Sequence, residues 1–146
     1  MMQKPSRKVA VVEELEVAAD ALWRLISDFE HIDRWANLAI RSVDGNAVGC
    51  LRTVEMESGA LVTERLLARD EDHRIYTYEV VEPNPYPMHA YTSTMSIEAL
   101  SAQRCRLRWT GSYLPVENTD PLRTDRLLLK VYGAGIELLR KYCAKT

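Results

Sequence analysis

Arg104-Cys105-Arg106-Leu107-Arg108-Trp109-Thr110-Gly111-Ser112-Tyr113 reads two residues at a time. Cys105, Leu107, Trp109, Gly111 and Tyr113 fall on one side, and Arg104, Arg106, Arg108, Thr110 and Ser112 on the other. Side chains of a strand alternate between the faces of a sheet, so this stretch predicts a strand with one wet and one covered face. The covered face carries Trp, Gly and Tyr rather than a run of Val and Ile. That composition points to a lined hollow beneath it.

Downstream, Asp120-Pro121 opens a helix, with Asp as N-cap and Pro in the first helical position. Leu127, Val131, Gly135, Leu138 and Tyr142 recur at helical spacing and form the predicted inner stripe. About 23 residues at 1.5 Å each give roughly 35 Å, enough to cross a curved sheet.

Upstream, Lys8–Val17 reads as a first strand, Ala18–Phe29 as a short amphipathic helix and Glu30–Trp35 as a second one. Strands are predicted at Leu38–Val43, Val48–Glu57, Ala60–Arg69, His73–Val81 and His89–Leu100. Turns at Asp44-Gly45-Asn46, Ser58-Gly59 and Asp70-Glu71-Asp72, and a proline-stiffened loop at Glu82–Pro87, separate them. Strands joined in series by tight turns form an antiparallel meander. The predicted class is α+β: a seven-stranded curved antiparallel sheet wrapped around a long C-terminal helix, with two short helices after strand 1. No linker or repeat interrupts the chain, so residues 1–146 read as a single domain.

Hydrophobic residues make up 47% of the chain, which excludes a disordered protein. A net charge of −2 without a basic run gives no reason to expect nucleic acid. No apolar stretch approaches the roughly 20 residues that membrane insertion needs. The first residues are polar and carry no signal-peptide core. Cys50, Cys105 and Cys143 match no redox or zinc spacing and read as reduced, buried, small hydrophobic residues, which favours a cytoplasmic location. His31, His73 and His89 are scattered, so neither a metal nor another cofactor is expected. A monomer or a homodimer is equally compatible with this composition.

Parity nominates the inward residues. Cys50, Arg52, Val54 and Met56 share a face, as do Val62, Glu64 and Leu66, and His89, Tyr91, Ser93, Met95 and Ile97. The His73–Val81 strand is ambiguous, with Tyr76, Tyr78 and Val80 on one face and Ile75 and Val81 on the other. Arg52 and Glu64 are the unusual members, because a charge on a covered face is costly unless paired. Either they form an ion pair that orders the sheet, or they fix a polar group of a ligand, or Glu64 works as a general base with Arg52 stabilising an anion. Without a full partner in an apolar cavity, Glu64 would have a raised pKa. Tyr78, Tyr91, Trp109 and Tyr113 either pack as core or stack on a flat guest. Gly111 and Gly135 remove volume where a packed core would want it, although Gly135 also suits close helix–sheet approach. His89 is either a rim residue or a further acid/base, and Trp35 either an entrance residue or a core anchor. The loops at Ser58-Gly59 and Pro83–Pro87 are expected to flank the opening.

The chain also carries a resemblance. Val17–Phe29 with Trp35, Val48–Val54, Val62–Leu67, Tyr76-Thr77-Tyr78, Tyr91–Met95, Arg108–Gly111 and Tyr132–Leu139, in that order, resemble the START-like/Bet v 1-like (SRPBCC) superfamily. Within it, the chain is most similar to bacterial polyketide cyclase/dehydrase-type proteins. The resemblance implies a helix-grip fold with an internal cavity. Similarity to the plant abscisic acid receptors implies that Glu64, Tyr91 and Ser93 point into it, although Ser58-Gly59-Ala60-Leu61 stands where those receptors have a Ser-Gly-Leu-Pro gate. The expected function is binding of a small hydrophobic molecule, aromatic, polyketide- or lipid-like. The expected binding residues are Trp35, Val54, Met56, Tyr78, Ser93, Met95, Trp109, Gly111, Tyr113, Leu127, Val131 and Gly135. The alternative is a cyclase, aromatase or dehydratase using Glu64, Arg52, Tyr91 and His89.

Overall fold

In the computed structural model, which describes residues 5–145, the opening stretch is β7 (Arg104–Pro115), and all five residues expected on its covered face are buried. The chain runs β1 (Arg7–Leu15), α1 (Ala19–Ile26), a 3₁₀ helix (Phe29–Arg34), β2 (Ala39–Val43), β3 (Leu51–Glu55), β4 (Leu61–Asp70), β5 (Ile75–Val81), β6 (Met88–Ser101), β7 and α2 (Pro121–Ala144). Seven strands form one sheet in the order β1-β7-β6-β5-β4-β3-β2, and every pairing is antiparallel. This is the helix-grip arrangement expected from the sequence. Register shifts interrupt the β2–β3, β4–β5 and β6–β7 ladders, and such bulges bend a sheet.

Several boundaries differ from the sequence reading. The β1 strand ends at Leu15 and α1 at Ile26. Val48, Gly49 and Cys50 precede β3 rather than belonging to it, because Gly49 sits at φ 96°, outside strand geometry. Cys105 is buried, but Cys50 and Cys143 are only half-buried.

The N-cap is as expected: the Asp120 carboxylate accepts from the Leu122 N–H at 3.1 Å. The inner stripe of α2 is rotated from the predicted one. Thr124, Leu128, Tyr132, Gly135, Ile136 and Leu139 are buried, whereas Leu127 is 38% exposed. The run Leu127-Leu128-Leu129 permits more than one phase, and Leu128 is the leucine in step with Tyr132 and Ile136.

Both ends of α2 are tied to β1. Arg7 Nε donates to both Asp125 carboxylate oxygens at 3.1 Å, and the Tyr113 hydroxyl donates to Asp125 Oδ1 at 2.5 Å. The hydrogen bond from Arg7 holds the Asp125 carboxyl below its ordinary range against the opposing effect of burial. Near the other end, Arg140 donates to the Glu14 carbonyl at 2.9 Å and to Glu13 Oε2 at 3.3 Å.

Candidate functional site

Helix and sheet meet in two different ways. Near β6 and β7 the contact is solid. Trp109 and Tyr132 stack with ring centroids 4.6 Å apart, and the Trp109 indole N–H donates to Ser93 Oγ at 2.9 Å. Ser93 donates to the Thr110 carbonyl at 3.1 Å, and the Tyr91 and Tyr132 hydroxyls bond each other at 2.6 Å. A Cβ on Gly111 would overlap the Tyr132 hydroxyl, so the missing side chain makes room for the protein itself. At Gly135 a Cβ would lie 2.7 Å from the Trp109 ring, so this glycine permits close helix–sheet approach, the second of its two readings.

Toward β3, β4 and β5 the layers separate around a cavity of about 330 Å³. Its floor includes Arg52, Glu64, Tyr76, Tyr78 and Met95, and its roof Val131, Ala134, Gly135 and Leu138 from α2. Trp35, Trp109, Ile26, Ile32, Leu38 and Met56 complete the apolar wall. Tyr86 and the Glu57-Ser58 turn also line it, as expected for the flanking loops. Among the exposed lining residues, Asn37 donates a side-chain hydrogen bond to the Glu57 carboxylate, joining the segment before β2 to the β3–β4 turn.

Arg52 and Glu64 face each other across the β3–β4 ladder, with Arg52 Nε donating to Glu64 Oε1 at 2.8 Å. They are 2% and 8% exposed. Arg52 also donates to the Phe29 carbonyl at 3.1 Å and lies 4.3 Å from the centroid of the Phe29 ring. Burial is the largest influence on Arg52 and works against its charge, but the Glu64 carboxylate together with Tyr76 and Tyr78 holds the guanidinium above its ordinary pKa. Glu64 thus has the ion-pair partner that a charge on a covered face needs.

Among the described residues, two polar atoms buried in residues of the cavity wall have no hydrogen-bond partner: Trp35 Nε1 and the Tyr76 hydroxyl. Trp23 and Trp109, by contrast, both donate to acceptors, Glu71 and Ser93. Burial pushes the Tyr76 hydroxyl up to about 12, although the nearby Arg52 charge pulls the other way, so the phenol keeps its proton at neutral pH.

The other nominated residues lie elsewhere. His89 is exposed, because the register shift between His89 and Thr92, with Ala90 at φ 49°, turns it out of the inward set. Tyr91, Ser93 and Gly111 belong to the solid contact, and Val54 is buried outside the cavity lining. Tyr113 serves the Asp125 tie, and Leu127 lies on the outer part of α2. The four residues nominated for catalysis therefore do not converge: only Arg52 and Glu64 line the cavity. Sequence reasoning missed the wall contributed by Ile26, Ile32, Ala36, Asn37 and Leu38, whose segment has no strand parity to read. Tyr76 was detectable, since it shares parity with Tyr78. No group of three or more His, Cys, Asp or Glu residues able to hold a metal occurs among the described residues.

A family model described as polyketide cyclase/dehydrase and lipid transport matches residues 6–144. The fold is similar to that of an uncharacterized protein from Bacillus thuringiensis, at 24% identity and TM-score 0.81, covering 92% of this chain and 97% of that one. It is also similar to XoxI from Bacillus cereus, at 23% identity and TM-score 0.82, covering 94% and 95%. Norcoclaurine synthase from Thalictrum flavum, solved with dopamine and hydroxybenzaldehyde, aligns at 14% identity and TM-score 0.70 over 97% of this chain and 86% of that one. At these identities the likenesses establish the fold alone. No curated protein matches significantly.

Proposed function

The chain belongs to the polyketide cyclase/dehydrase and lipid transport family, and on that footing we propose that it binds a small, ring-bearing hydrophobic molecule between its sheet and α2. The observation that carries this reading is the cavity of about 330 Å³ walled by Trp35, Trp109, Tyr78, Met56 and Met95. Cavities of this size and lining are where small molecules bind. One small fused-ring molecule fits that volume better than a lipid with two acyl chains.

Titration with 1-aminoanthracene, followed by its fluorescence, tests the reading. Saturable one-to-one binding, with a rise in thermal midpoint that grows with probe concentration, is expected, because a ligand of the native state alone stabilises it. Val131→Trp, which fills the space under α2, should weaken binding at least tenfold. A probe signal that never saturates, or that ignores Val131→Trp, overturns it.

A second reading, cyclase-type catalysis, is favoured by one observation: the Glu64 carboxylate stands in the cavity wall. That carboxylate is already engaged by Arg52 at 2.8 Å, so binding is the stronger reading. Turnover of a cyclisable aromatic substrate that falls at least a hundredfold in Glu64→Gln, with affinity within threefold, would raise catalysis above binding. Unchanged turnover and affinity would remove its support.

A further inference from the structure

Resting on the binding reading, we infer that the second carboxylate oxygen of Glu64 selects the guest: a flat, ring-bearing molecule that carries a hydroxyl donor and no negative charge. Glu64 Oε1 accepts from Arg52 at 2.8 Å, whereas no described residue donates to Oε2. The polar atoms that are both unanswered and sealed from contact are Trp35 Nε1 and the Tyr76 hydroxyl, and Oε2 is not among them. Glu64 keeps 11% of its side-chain surface accessible, and it stands in the cavity wall. Its unanswered oxygen is therefore within reach of a molecule in the cavity.

What Oε2 lacks is a donor. A carboxylate oxygen only accepts, so a ketone, an ether or another carboxylate cannot answer it. A guest that fills the apolar part of the cavity also excludes water from that oxygen, and a buried charged acceptor left unmet costs more than a neutral one. A phenolic or enolic hydroxyl supplies the missing donor, and an O–H to a carboxylate makes one of the shorter and stronger hydrogen bonds. A negative charge on the guest finds no spare cation. Arg52 is committed to Glu64 and to the Phe29 carbonyl, and the other charged side chain of the lining is Glu57, a second carboxylate. The apolar rest of the lining, with Trp35, Tyr78 and Trp109 in it, takes the ring skeleton.

Four naphthalenes that differ in one substituent separate these terms: 2-naphthol donates, 2-methoxynaphthalene only accepts, 2-methylnaphthalene does neither, and 2-naphthoate is an anion. By isothermal titration calorimetry at neutral pH, 2-naphthol should bind at least tenfold tighter than each of the other three. In Glu64→Gln the side-chain oxygen can still accept from Arg52, while an amide NH₂ takes the place of Oε2 and turns the site from acceptor to donor. The preference for 2-naphthol over 2-methoxynaphthalene should then fall to within threefold, with 2-methylnaphthalene affinity unchanged. Glu57→Gln, at the exposed rim, should keep the parent's order. Thermal melts check that both variants fold, and the order of the four probes on the parent protein decides the matter even if Glu64→Gln does not. Equal affinities of the parent for 2-naphthol and 2-methoxynaphthalene overturn the donor inference while leaving a binding cavity, as does a preference that survives in Glu64→Gln or disappears in Glu57→Gln. Failure of all four probes to bind overturns the binding reading with it.

Discussion

The two halves of the helix–sheet interface use the same kinds of residue to opposite ends. Around Tyr132, a tryptophan, two tyrosines and a serine are stacked, bonded to one another and closed. Around Arg52, a tryptophan and a tyrosine stand with polar atoms unanswered beside about 330 Å³ of space. Aromatic content therefore does not distinguish core from pocket in this chain; the state of the polar atoms does. In the solid half the fold completes its own hydrogen bonding, whereas in the hollow half two buried polar atoms have no hydrogen-bond partner among the described residues.

The largest expected effect is in the hollow half, where the sheet depends on one charge pair. Glu64→Leu leaves the Arg52 guanidinium buried without its partner and should lower stability by about 3–5 kcal/mol in denaturant unfolding. Adding Arg52→Met should recover most of that loss. If the single and double variants lose equally, the pair is not what supports this half.

Next comes Gly111→Ala in the solid half. The new methyl overlaps the Tyr132 hydroxyl, and the strain should cost about 2–3 kcal/mol. A neutral result would mean that the contact is looser than its geometry. Tyr132→Phe should cost about 1–2 kcal/mol, because the buried Tyr91 hydroxyl then loses its partner.

The smallest effect sharpens the contrast by reversing sign. Tyr76→Phe should leave stability unchanged or raise it by about 1 kcal/mol, since the deleted hydroxyl satisfies nothing within the protein. The same variant should be visible in alkali. Tyr76 is raised by burial from 10.0 to about 12, so between those values the unfolded chain releases a proton that the folded chain keeps. Its contribution to stability is complete below pH 10 and is lost as pH rises toward 12. Unfolding midpoints measured from pH 9 to 12 should therefore decline less steeply in Tyr76→Phe than in the parent.

Strand alternation made much of this architecture legible. The parity of Cys105 to Tyr113 located the covered face of β7, and the same rule placed Arg52 opposite Glu64 on neighbouring inward positions. The rule failed where the backbone departs from a two-residue repeat. A register shift with a non-glycine residue at positive φ turns His89 outward, and nothing in His89-Ala90-Tyr91 announces it. It failed again for helix phase, where three consecutive leucines left the rotation of α2 to the larger partners Tyr132 and Ile136. The cavity wall between Ile32 and Leu38 was illegible for a third reason: a 3₁₀ helix and a loop present side chains at positions set by packing rather than by period. Nor does a sequence reveal which indole finds an acceptor, since that depends on contacts between distant strands.

The ties at both ends of α2 bear on traffic as well as on stability. Arg7 and Arg140 fasten the roof to the edge of the sheet near its two ends, so lifting it would break several charged contacts together. On the opposite rim Asn37 donates an exposed hydrogen bond to Glu57, beside the start of the β2–β3 ladder. The long helix is therefore a fixed lintel over the hollow half, held at both of its ends.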